Sequence, residues 1–172
     1  RYNKILQQRN AQLKLMAAQP EISSELLDVL DQQLIPLGTS IYNKRSELCT
    51  QMVPNVEKFY QRISGNREAV YTNYQSQLET ESFEDLLKAS RSRDIFSQRS
   101  NAGIHKDELS FTLEGKLFRY VASQGQRKSL LFALKLAEFE LLKETKGFAP
   151  ILLLDDVFEK LDGLRMNHLL EW

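Results

Sequence analysis

The chain has 172 residues, 42% of them apolar and 27% charged, with 23 basic and 23 acidic side chains that cancel to zero net charge. That is an ordinary globular balance with room for one domain or two small units, and it supplies no global basic field for nucleic acid. The lone Cys49 excludes an internal disulfide and fits a reducing cytoplasm, and neither a long apolar run nor a signal-like start points to a membrane or to export.

In chain order, Tyr2, Ile5, Leu6, Leu13 and Met16 form one helical stripe over residues 1–19, stopped by Pro20. A longer periodic run follows. Leu30, Leu34, Leu37, Ile41 and Leu48 keep a near-heptad spacing that Met52, Val56, Phe59 and Ile63 resume. Such a stripe seeks a partner helix, and the first helix folding back at Pro20 would give an antiparallel, coiled-coil-like arm over 1–66. Pro36 and Pro54 are expected to kink or interrupt it. A plain helical-bundle face explains the same pattern.

Residues 68–75 alternate weakly and predict a strand. Phe83 to Ala89 reads as a short amphipathic helix capped by Ser82. Arg91, Arg93 and Arg99, interleaved with serines, then read as a solvated basic loop, with a phosphate-contacting surface as the alternative. Leu109, Phe111 and Leu113 alternate with polar residues, Glu114-Gly115 offers a turn, and strand character resumes over 117–121, so a β-hairpin is expected. His105 has no second His or Cys at ligand spacing, which leaves a hydrogen-bonded loop histidine as its role.

Ser123 and Gly125 stand just ahead of Leu130, Leu131, Leu134, Ala137, Leu141 and Leu142, which recur at helical spacing. A helix therefore starts near Gln124, capped by Ser123 and stopped after Lys143 and Lys146 by Gly147. Alone, this is an ordinary capped amphipathic helix. Ile151 to Leu154 is a continuous apolar run, short enough for a strand buried on both faces, and it ends in Asp155 and Asp156. Acids leaving such a strand suit a hydrated Mg²⁺ and an attacking water. After Asp162 and Gly163, Leu164, His168 and Leu169 predict a further helix with His168 on its surface.

Ser123-Gln-Gly-Gln126 at a helix start, about 25 residues before an aliphatic run ending in Asp-Asp, resembles the signature motif and Walker B of ABC-type ATPases. Glu159-Lys-Leu-Asp162 stands where that family has its D-loop. Ala122-Ser-Gln-Gly-Gln-Arg127, Leu134-Lys-Leu-Ala-Glu138 and Leu152-Leu-Leu-Asp-Asp-Val157 resemble the RecF family of bacterial recombination-mediator ATPases. Gly103-Ile-His-Lys-Asp-Glu-Leu109 is similar to that family's Gly-Pro-His-Arg-Asp-Asp-Leu block, with Ile104 replacing the proline and Lys106 the arginine, which removes a rigid turn and a bidentate donor.

The resemblance implies an α/β chain: a helical arm over 1–66 and, over 67–172, a partial ABC-type ATPase lobe with β-hairpin, signature helix and Walker B strand. It implies that Ser123, Gln124, Gly125 and Gln126 act in trans on the γ-phosphate of ATP held by a second protomer, with Asp162 in the D-loop. Asp155 would serve Mg²⁺ and Asp156 the attacking water. The implied partners are DNA at gapped single/double-strand junctions, an ATP-dependent homodimer, and the mediator proteins RecR and RecO, in DNA repair, replication and the SOS response. No Gly-x4-Gly-Lys-[Ser/Thr] run occurs among the seven glycines, so this segment alone is expected not to hydrolyse ATP. Two other readings are an SMC- or Rad50-type coiled-coil ATPase segment and a non-enzymatic helical interaction module.

Overall fold

A computed structural model of the chain describes residues 1–19, 21–153 and 161–171. The helices are α1 (Tyr2–Ala18), α2 (Glu25–Ile63), α3 (Phe83–Ser97), α4 (Phe118–Val121), α5 (Gln124–Lys146) and α6 (Gly163–Leu170). The strands are β1 (Val70–Gln75), β2 (Glu108–Leu113) and β3 (Lys116–Leu117). They form one sheet in the order β1-β2-β3, with β2 antiparallel to β3 and Thr112 opposite Leu117. The expected mixture of helices with a small sheet is therefore present. Packing divides the chain into two compact units, Arg1–Ser46 with Gln75–Glu108 and Glu47–Tyr74 with Leu109–Trp172.

In the first unit α1 runs antiparallel to the start of α2, with Tyr2 beside Gly38 and Arg9 bonded to Asp31. Tyr2 and Ile5 pack on Leu30 and Leu34, and Phe83 and Leu87 of α3 close the cluster. The Ser82 hydroxyl accepts from the Asp85 amide at 3.1 Å and caps α3 as expected. Gly103 takes φ +123°, and a Cβ there would stand 2.9 Å from the Tyr2 hydroxyl and 2.8 Å from the Phe83 ring, so only glycine fits without movement. The fully buried Arg9 donates from Nε to Asp31 at 2.6 Å and from Nη1 to Asp94 at 2.7 Å and Ser100 at 2.8 Å. Burying a lone guanidinium is prohibitive, and these two carboxylates answer its charge.

The basic loop expected around Arg91 is instead helix. α3 continues to Ser97, because Arg91 reaches back to Asp28 and Asp31 of α2 and Asp94 is buried against Arg9. Arg91 and Arg93 are thus helical, and only Arg99 lies beyond α3. A second correction concerns the prolines. α2 is helical through both Pro36 and Pro54. Both face solvent, while Leu30, Leu34, Val56 and Tyr60 on the opposite face are buried, and that packing outweighs the two missing amide donors.

The core of the second unit gathers Phe59 and Tyr60 from the end of α2, Val70, Leu113, Phe118, and the inner face of α5. The hairpin forms with Glu114 and Gly115 both at positive φ, as a tight two-residue turn requires. Its second strand is shorter than expected. Residues 118–121 turn into α4, which buries Phe118 edge-on against Tyr60 at a centroid distance of 6.1 Å. The strand expected over Ile151–Leu154 is absent from its described part, 151–153. Ile151 and Leu153 are 89% and 87% exposed, and only Leu152 packs on the core. A strand needs a neighbour for its amides and carbonyls, and the described sheet places none beside this run.

Candidate functional site: the start of helix α5

The geometry of residues 123–127 follows from their side chains. Ser123 leaves the helix with φ −65° and ψ 168°, and its Oγ accepts from the Gln126 amide at 3.2 Å. Gln126 Oε1 returns the contact, accepting from the Ser123 amide at 2.8 Å. This reciprocal capping box fixes the first turn and satisfies two amides that a helix start otherwise leaves open. By helix geometry the Gln124 and Gly125 N–H groups have no carbonyl one turn earlier to bond. They are therefore the donors available to an incoming anion, with the helix dipole behind them. Ser123 and Gln124 are exposed, and Gly125 and Gln126 half-buried, so the turn is both ordered and reachable. Arg127 secures the approach, donating to the Ala122 and Arg119 carbonyls at 3.1 Å each.

Asp162 is the N-cap of α6. Its Oδ1 accepts from the Arg165 amide at 2.9 Å, and its Oδ2 lies 3.3 Å from the Arg165 guanidinium. The amide bond from Arg165, opposed by burial and aided by the charges of Arg165 and Arg67, holds the Asp162 carboxyl below the usual carboxylate range. Sequence reasoning singled out Asp162 for the D-loop and did not single out Arg165, whose burial shows only once α5 and α6 are seen together. It also misplaced His168, which is half-buried with its ring over Gly65 and Nδ1 3.4 Å from the Ile63 carbonyl.

Asp155 and Asp156 lie outside the described residues. Among the described residues no group of three His, Cys, Asp or Glu is placed to hold a metal ion. Those residues offer a phosphate-sized anion a helix terminus. No described helix is long and apolar enough to cross a membrane.

No protein-family model matches the chain. Over 170 residues, 99% of its length, it is 39% identical to the DNA replication and repair protein RecF of Cytophaga hutchinsonii and 44% identical to that of Parabacteroides distasonis. It covers 45% and 46% of those proteins, so the chain spans about half the length of the curated relatives it matches. Solved structures of the recombination mediator protein RecF in the RecFOR pathway, one with ATP and one with ATPrS, each superpose with a TM-score of 0.81 at 29% identity, over 99% and 98% of this chain and 48% of theirs. With this identity along nearly its whole length, the motifs at Ser123–Gln126 and Gly103–Leu109, and the shared fold, the chain belongs to the RecF family.

Proposed function

We propose that this chain is the signature-bearing part of a RecF-type ATP-dependent DNA-binding protein, which dimerises on ATP and helps load recombinase at single-strand gaps during DNA repair and replication. The observation that carries this reading is the ordered, exposed first turn of α5, where a capping box presents two outward amides on the family's signature sequence. Relatives described as DNA replication and repair proteins, and RecF structures with ATP, support it.

In this reading Ser123, Gln124, Gly125 and Gln126 close on the γ-phosphate of a nucleotide held by a second protomer. Asp162 approaches the same interface from the D-loop. Asp155 and Asp156, assigned from their place after the aliphatic run, would take Mg²⁺ and the attacking water on their own protomer. Residues 1–66 would act as the arm and 67–172 as the partial ATPase lobe, in a cytoplasmic protein whose partners include gapped DNA, RecR and RecO, with a role in the SOS response.

The test is Ser123→Arg in the full-length protein. A long cation at the helix start would occlude the Gln124 and Gly125 amides and collide with the partner's nucleotide. Sedimentation with a slowly hydrolysed ATP analogue is expected to show monomers only, while ATP binding to each protomer stays within about twofold of wild type. A normal ATP-driven dimer would reduce Ser123 to a helix cap and overturn the proposal.

A further inference from the structure

Behind the first turn of α5 lies a buried polar network that the nucleotide-facing residues do not themselves require. Ser129, fully buried one turn into the helix, donates from Oγ to the Gly125 carbonyl at 2.9 Å. The same oxygen accepts from Arg165 Nη1 of α6 at 3.0 Å. Arg165 is 7% exposed, and its Nη2 donates to Glu68 Oε1 at 2.6 Å. Its Nε faces the Asp162 carboxylate at 3.3 Å. Glu68 is held in turn by the Tyr60 hydroxyl, which donates to Oε2 at 2.9 Å. Burial, and then Glu68, push the Tyr60 phenol far above its ordinary value, so it remains a donor throughout the physiological range.

We propose that Arg165 is a positioning residue, which through Ser129 sets the first turn of α5 against the cap of α6 and so aligns Ser123–Gln126 for the nucleotide of a second protomer. The inference rests on the reading of that turn as a trans-acting signature.

Three edges of one planar guanidinium meet three elements: Asp162 at the cap of α6, Ser129 inside α5, and Glu68 just ahead of β1. Stability alone does not call for such an arrangement, since well-packed apolar side chains of similar volume often serve a buried site as well or better. What the fork adds is direction. A donor aimed at Ser129 Oγ leaves that hydroxyl its own hydrogen to give to Gly125, the second residue of the helix. The carbonyl at the signature glycine is thereby referenced to α6 by two hydrogen bonds in series. A serine bonded back to the carbonyl four residues earlier also bends its helix slightly, so losing the relay re-aims the first turn. Arg165 touches no nucleotide in this scheme.

The experiment uses the full-length protein with Arg165→Lys, Ser129→Ala and the double variant. Lysine keeps the charge near Glu68 but has no fork to reach Ser129 and Asp162 together. Ser129→Ala removes only the relay oxygen and is the variant expected to fold in any case. Three quantities are read: the unfolding midpoint, ATP affinity of the monomer, and the dimerisation constant with a slowly hydrolysed ATP analogue. Expected are monomer ATP affinity within about twofold of wild type and dimerisation weakened roughly tenfold in each single variant, a coupling of ordinary allosteric size. The double variant is expected to be no weaker than the worse single one, because both break one relay. Dimerisation of folded Ser129→Ala within about twofold of wild type would overturn the inference, as would additive losses that track the unfolding midpoint. The Ser123→Arg protein separates the two levels. If it dimerises normally, the signature reading falls and this inference with it. If it does not dimerise while Ser129→Ala does, only the positioning role is lost.

Discussion

His105 stands between two oxygen groups that dictate its protonation. Its Nε2 lies 3.1 Å from the Ser100 carbonyl, which can only accept, so Nε2 carries the proton and Nδ1 is left to accept from the Tyr2 hydroxyl at 3.3 Å. A second proton on the ring would set a donor against a donor. Burial is the main cause lowering the His105 pKa from its ordinary 6.5, with the charges of Lys106 and Arg9 adding, while the Ser100 bond and Asp94 oppose. Tyr2 stays protonated, its phenol pushed up to about 12 chiefly by burial and then by Asp107. Because the folded value of His105 lies below the unfolded one, its contribution to stability is complete above pH 6.5 and is lost as the pH falls through the lowered folded value. Urea unfolding midpoints are therefore expected to decline from pH 7 toward pH 5, and His105→Gln is expected to flatten that decline. An equally steep decline in His105→Gln would assign it to other groups. The absence of a nearby His or Cys made a hydrogen-bonded histidine legible in the sequence. Its partner Tyr2, 103 positions away, was not.

At the scale of elements, legibility followed locality. Helix α5 could be read from end to end because its signals are short-range: the Ser123 cap, the apolar spacing, and Gly147 in the left-handed region at φ 72°. The cap of α3 was equally plain, yet its length was not. Arg91 continues the helix because Asp28 and Asp31 lie across from it on α2, a pairing no local pattern announces. The prolines of α2 show the same override in reverse. Each lacks the N–H that closes a helical turn and crowds the turn before it, a cost of about 3 kcal/mol relative to alanine. Both lie on the exposed face, so substitution removes no core contact. Pro36→Ala and Pro54→Ala are each expected to stabilise the protein by about 2 kcal/mol, after allowing for the freer unfolded chain. Chemical denaturation measures this directly. An unchanged or lowered midpoint in either variant would mean that proline already fits a relaxed backbone there.

At the scale of the whole molecule, the run after Gly147 is where sequence and structure part. Four aliphatics in a row predict a strand covered on both faces, because exposing such a run to water is costly. In the structure Leu152 faces the core while Ile151 and Leu153 point outward, an alternation proper to an extended segment with one face covered. The run was therefore legible in its hydrophobicity, while the extended, unpaired state of residues 151–153 was not, since a strand is a property of the sheet around it and not of its own residues. Since the matched relatives are about twice as long as this chain, covering residues are available within them. In the full-length protein, Ile151 and Leu153 are expected to be shielded by residues beyond these 172. Thiol labelling tests this in a Cys49→Ser background, with cysteine placed in turn at Ile151, Leu153 and, as an exposed reference, Tyr120, which is 74% accessible. Labelling at 151 and 153 is expected to be slower than at 120 by roughly two orders of magnitude, the retardation that a local opening free energy of about 3 kcal/mol imposes. Equal rates at all three positions would mean that the two side chains face water in the complete protein as well. In that case the Ile151–Leu154 run would not be an interior strand, and the catalytic roles assigned to Asp155 and Asp156 from that placement would lose their basis.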